Sequence, residues 1–187
     1  MSGLRRLAPR LLALAAVAAL VGWVLGSRAR GGSFEQARPL FQRGTTEDLR
    51  VASETLAAGS GDCLLAARAL VLAQLFAEYG EGREAATQAV ADAAALRERC
   101  GDLRVAEGLI AFGAGDPPAA AAALADARRV GTPLTLARQH HRWLAGMLAL
   151  GTGDDAALEL ARADARALCA EEPRTVAYHR LLALLEL

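Results

Sequence analysis

The chain has 187 residues, of which 53% are hydrophobic but only 4% aromatic, enough for one globular domain with an N-terminal extension. A core drawn from Ala, Leu and Val favours close-packed helices over a sheet. The formal net charge is zero, yet Arg5, Arg6, Arg10, Arg28 and Arg30 fall in the first 30 residues with no Asp or Glu among them. The rest is therefore net acidic and lacks the basic stripe that tracks phosphates, which argues against nucleic acid as a partner. All 21 basic residues are Arg and none is Lys, a bias that fits GC-rich codon usage and lowers the functional weight of any single arginine.

The first element in chain order is an uncharged apolar run over residues 11–26, preceded by a basic stretch, 1–10. The run is slightly short for a span of about 20 residues, and flanking arginines that snorkel to the interface lengthen it. It reads as an uncleaved transmembrane signal anchor. A cleaved signal peptide, with Ser27-Arg28-Ala29 as the small-x-small site, is an alternative that the nearby arginines disfavour. A buried N-terminal helix is a third reading. No cysteine closely follows the run, so a lipoprotein anchor is excluded, and the Arg5-Arg6 pair is followed by Ala8-Pro9 instead of a bulky apolar export motif. The arginine bias keeps the N-terminus in the cytoplasm. Residues 27–33 form a short tether, and 34–187 is then a domain on the periplasmic side of a cell membrane.

Within that domain Gly44, Gly80, Gly115 and Gly151 recur at intervals of 36, 35 and 36 residues. A period of this size marks stacked helical hairpins. Helices are expected near 34–43, 46–58, 63–79, 83–98, 103–113, 117–130, 135–150, 154–169 and 174–186. Asp62 and Asp102 are expected N-caps, Asp116-Pro117 is a cap followed by Pro at the first helical position, and Pro39 is expected to break or start the first helix. In register, Leu49, Ala85, Ala120 and Ala156 follow each glycine by five residues. Ser53, Ala89, Leu124 and Leu160 follow by nine, and Leu56, Asp92, Ala127 and Ala163 by twelve. Ala37, Ala73, Gly108 and Leu144 precede by seven.

This pattern resembles the tetratricopeptide repeat over residues 34–187, most closely in Gly108, Gly115, Ala120, Leu124 and Ala127. Of the aromatic before the turn only Phe76 remains, the tryptophan-like position is not filled, and the closing proline comes late, at Pro133 and Pro173. The resemblance implies an all-α fold, an α-α superhelix (solenoid) of about four stacked helical hairpins, which the apolar run at 11–26 would precede as a single transmembrane helix. It also implies that the first helix of each hairpin lines a concave, ligand-binding face.

On that face Arg138, His141 and Arg142 would meet an acidic or C-terminal carboxylate ligand; the plainer alternative buries Trp143 between hairpins with the charges solvated. Adjacent His140 and His141 diverge by about 100° on a helix and cannot chelate as an i, i+4 pair would, so they read as surface or groove histidines with no metal. The Gly-x-Gly turns lack a strand before them and a Gly-Lys-Ser/Thr, and read as helix caps. No catalytic set, cofactor or small-molecule substrate is indicated. Cys63, Cys100 and Cys169 occupy equivalent inter-helix turns; a Cys63–Cys100 bridge is permitted outside the cytoplasm, but stacked repeats hold such positions too far apart, so three free, partly buried thiols are expected. Leu182 and Leu185 belong to a last helix with more apolar surface than one neighbour covers, and are expected to dock on a partner. The functional expectation is a membrane-tethered repeat adaptor that binds another envelope protein or peptide. The alternatives are a structural subunit of a larger membrane complex, or a secreted repeat protein with a cleaved signal. An adaptor should keep a polar groove, whereas a subunit should expose an apolar flank.

Overall fold

The computed structural model describes residues 34–98, 100–132 and 134–187. They fall in one compact unit, Gly32–Leu187; the expected anchor at 11–26 and the tether lie outside the described residues. No described helix is long and apolar enough to cross a membrane.

Among the described residues there are nine α-helices and no strand. They are α1 Phe34–Arg43, α2 Thr46–Ala57, α3 Asp62–Tyr79, α4 Arg83–Asp92, α5 Gly101–Gly113, α6 Pro117–Val130, α7 Thr135–Thr152, α8 Asp155–Glu171 and α9 Val176–Leu185, with a short 3-10 turn at Ala94–Leu96 after α4. Each helix packs on the next in the chain, and α1, α3, α5, α7 and α9 also touch in succession.

The hub is α3, which meets α1, α2, α4, α5 and α7. Every residue from Ala69 to Phe76 is buried, and a helix that is apolar all round must be buried all round. The exception in that stretch is Gln74, 2% exposed, whose amide requires partners inside the core. At the α3–α4 corner Gly80 is left-handed (φ 71°) and closes α3 with its N–H on Phe76 O. Close approach explains a second set of glycines. A Cβ on Gly101 would stand 2.4 Å from Gly131 O, and one on Gly146 2.9 Å from a Leu181 methyl.

In the first three units the repeat register follows the helix start, not the turn glycine. Thr45, Gly82, Asp116 and Asp154 are the N-caps of α2, α4, α6 and α8. Counting four, eight and eleven residues from the cap gives Leu49, Ser53, Leu56, then Ala86, Val90, Ala93, then Ala120, Leu124, Ala127, all of them buried. The second unit therefore stands one residue later than the glycine spacing predicts, and Ala85 and Asp92 face outward. In the fourth unit Gly151 is helical and the left-handed residue is Gly153, φ 66°. Ala156, Leu160 and Ala163 are accordingly exposed, while Ala161, Ala165 and Leu168 are buried.

Three further expectations are corrected. α1 continues through Pro39: in a ten-residue helix starting at Phe34, its absent N–H forfeits only the bond to Glu35 O. Asp62 opens α3 behind an uncapped Gly61. Asp102 lies inside α5, buried, where Oδ1 accepts from Leu134 N at 3.3 Å and Oδ2 from Cys100 Sγ at 3.0 Å. Burial pushes the Asp102 carboxyl above its usual range and raises the Cys100 thiol to about 11. The three cysteines are free, and Cys63 is exposed instead of partly buried.

The two ends of the described domain meet. Arg38 on α1 pairs with Glu172, just past α8, at 2.6 Å, and Gln42 Nε2 donates to the same carboxylate at 2.9 Å. Arg180 on α9 reaches Tyr79 Oη at 3.2 Å and Glu78 at 3.7 Å, both on α3.

Candidate functional site

The helix that carries Arg138, His141 and Arg142 faces the interior, not an open concave groove. α7 touches α3, α5, α6, α8 and α9, so its neighbours occupy the space a peptide would need. Arg138 is exposed at the first turn of α7, where it donates to Thr132 O at 3.0 Å and Thr135 Oγ1 at 2.9 Å. Arg142 clamps α7 to α8 through Glu171 Oε1 at 2.7 Å and Asp164 O at 3.2 Å, which commits its charge within the fold. Trp143 is buried and meets Phe112 edge-on at 6.3 Å, as the plainer reading had it.

Both histidines are buried, which corrects the surface assignment. His141 Nε2 stands 3.2 Å from Arg128 Nε and 3.3 Å from Leu124 O. It accepts from the guanidinium in one tautomer and donates to the carbonyl in the other. Burial, and secondarily Arg128, hold it below the usual imidazole value. His140 is 1% exposed, tilted against Phe41 at 5.2 Å, with Nδ1 2.7 Å from Leu136 O and Nε2 2.6 Å from Gln74 Oε1. A neutral ring carries one N–H and donates to only one of these oxygens at a time. Burial pushes this ring down to about 4. The chain continues from Gln74 Nε2 to Glu78, whose carboxyl burial holds above its usual range. This buried polar line joins α7 to α3. The only sequence signal for it is a lone Gln in an apolar run, answered by a His 66 residues on.

The last helix is also corrected. Leu185 is 2% exposed and Leu181 1%. α8 and α7 cover them, and Arg162 Nε donates to Leu185 O at 2.7 Å, so Leu185 is core and not a docking residue. Leu182 is half-buried against the same core, whereas Leu184 is 46% exposed.

An apolar surface lies elsewhere. The start of α6 and the C-terminal end of α7 enclose a groove of about 340 Å³ lined by Phe112, Pro117, Pro118, Ala121, Met147 and Leu148. Its shape follows from local rules: Asp116 caps α6 at Ala119 N, 3.0 Å, and Pro117 fills the first helical position, leaving two proline rings on the surface. None of the residues lining the groove is charged; Asp116, next to Pro117, shares a neighbouring pocket with Arg83. The carbonyl end of α7, at Gly151 and Thr152, gives the groove a partial negative charge. Among the described residues no group of three His, Cys, Asp or Glu is placed to hold a metal ion.

No known family model matches this chain, and no curated protein or solved structure matches it either.

Proposed function

We propose that this protein is a membrane-tethered adaptor whose tetratricopeptide-like hairpins, stacked as a short superhelical array, hold a segment of another envelope protein. Residues 11–26 anchor it in the cell membrane and 34–187 lie on the periplasmic side. The observation that supports this best is the apolar groove between α6 and α7, lined by Phe112, Pro117, Pro118 and Met147. Its chemistry suits an apolar segment flanked by Arg or Lys. Met147 adds an adaptable thioether to the lining. The groove is apolar where a polar one was expected of an adaptor, so size is what separates this reading from that of a permanently packed subunit: stable interfaces bury well over about 1,000 Å² in total. A 340 Å³ groove takes only about two or three side chains; Leu65 and Leu160 are exposed on separate helices, and Val176, Leu184 and Leu187 are exposed on or just after α9.

A photo-crosslinking residue at exposed Ala121 in intact cells tests the proposal. The expected result is a discrete protein adduct in the membrane fraction that disappears with Met147→Glu. Adducts unaffected by Met147→Glu, or recovery of the full chain in the soluble fraction, would overturn it.

A further inference from the structure

A second cavity opens where α1 passes the first turns of α7, and its chemistry differs from that of the groove. It encloses about 240 Å³ and is lined by apolar Phe34, Phe41 and Leu136 and by charged Glu35, Arg38 and Glu172. Gln139 lines it too. This residue is only 6% exposed, yet its amide makes no hydrogen bond among the described residues. The other glutamines that α1 and α3 contribute nearby are partnered, Gln42 to Glu172 and Gln74 to His140 and Glu78. The Gln139 amide is not sealed in the core: its donors and acceptor open into the cavity, where water or a ligand can pair them.

The ligand follows from what the site offers. A carboxamide presents donors and an acceptor side by side, and the group that satisfies both at once is another amide, paired reciprocally. A carboxylate would face Glu35 and Glu172, while a lone ammonium would leave the Gln139 N–H pair unused beside Arg38. Glu172 is already shared by Arg38 and Gln42, so it offers little to an incoming ion. The apolar walls take a small hydrocarbon body. We infer that this cavity binds a neutral amide carried on a small apolar body, held by a reciprocal hydrogen-bonded pair with Gln139 between Phe34 and Phe41. A peptide main chain and a free carboxamide share that chemistry. The inference does not rest on the groove or on its partner.

Titration of the full chain, followed through the glutamine side-chain NH₂ resonances, tests this. N-acetyl-leucinamide stands for a peptide, benzamide for a free carboxamide, and isovalerate and isoamylamine are the charged controls. The amide probes should shift the Gln139 resonances saturably and the charged ones should not. Gln139→Leu should weaken amide binding at least about tenfold, which is about 1.4 kcal/mol, without lowering the thermal midpoint. Phe34→Ala should weaken it while leaving the Gln139 resonances in place, and Met147→Glu in the groove should leave it unchanged. Tighter binding of N-acetyl-leucinamide assigns the cavity to peptides, and tighter binding of benzamide to free carboxamides; both support the amide site. No saturable shift by either amide, binding indifferent to Gln139→Leu, or preference for a charged control would each overturn it.

Discussion

Lowering the pH from 7 to 5 should weaken this fold through His140. Burial pushes the ring from 6.5 down to about 4 in the folded protein. Between those values the unfolded chain binds a proton that the folded one refuses, so stability falls as the pH falls. The slope is about 1.4 kcal/mol per pH unit, which at pH 5 amounts to about 2 kcal/mol from this ring alone. His141, held low by burial and Arg128, acts in the same direction. Glu78 opposes them: burial raises its folded-state value, so the penalty for ionising it is lifted as the pH drops. A variant isolates the ring. His140→Gln does not titrate and keeps a polar group facing Gln74. Urea unfolding of the full chain and of the variant, followed by far-ultraviolet circular dichroism at both pH values, gives the comparison. The wild type should lose about 2 kcal/mol more than His140→Gln between pH 7 and pH 5. An equal loss, or a relative gain, would mean that the ring is already protonated inside the fold and balanced by Glu78 through Gln74, refuting the burial argument.

Other substitutions probe the backbone and surface. Gly151→Ala, in a helix with nothing within 4 Å of the new Cβ, should raise stability by about 0.5–1 kcal/mol, whereas Gly153→Ala at φ 66° should lower it by about 1 kcal/mol; thermal melts of the pair separate the two roles. Gly101→Ala should cost about 3 kcal/mol or more, because the atoms it meets, Gly131 O and Ala127 O, are backbone; a midpoint within a degree of wild type would refute the close packing. Arg142→Met should cost about 1 kcal/mol by releasing α8 and leave crosslinking at Ala121 intact. Iodoacetamide at pH 8 should label exposed Cys63 first and Cys100 last, since burial and the nearby Asp102 raise that thiol to about 11; mass spectrometry of timed samples reads the order.

Much of the helical layout was legible in sequence, because apolar period, caps and turn glycines are local signals. Residues 34–43 and 117–130 form helices with the expected limits. The errors arise where two local signals compete. Gly151 and Gly153 are equally good turn glycines, and Asp154, which caps α8 at Ala156 N and Ala157 N, decides between them. The site was far less legible. Arg138, His141 and Arg142 look like a binding face when α7 is considered alone, and become interior or committed once α3 and α8 pack on it. The burial of Leu185 depends on two helices meeting α9 together, and the placing of the Gln139 amide in a cavity depends on where α1 falls. Neither is written in the period of one helix.

The junction of Arg38 and Gln42 with Glu172 bears on how this domain can come apart and how it can evolve. In an open row of hairpins each unit leans only on its neighbours, so ends fray independently and a unit can be duplicated without disturbing the rest. Here α3 also touches α7, and α1 reaches the far end of α8. Detaching the first helix uncovers Phe41 and His140 together, which ties the loss of one terminus to the middle of the domain. Unfolding should therefore approach a single transition. Insertion of an extra hairpin would lift Glu172 away from Arg38, so the number of units is set by the join and not by the repeat.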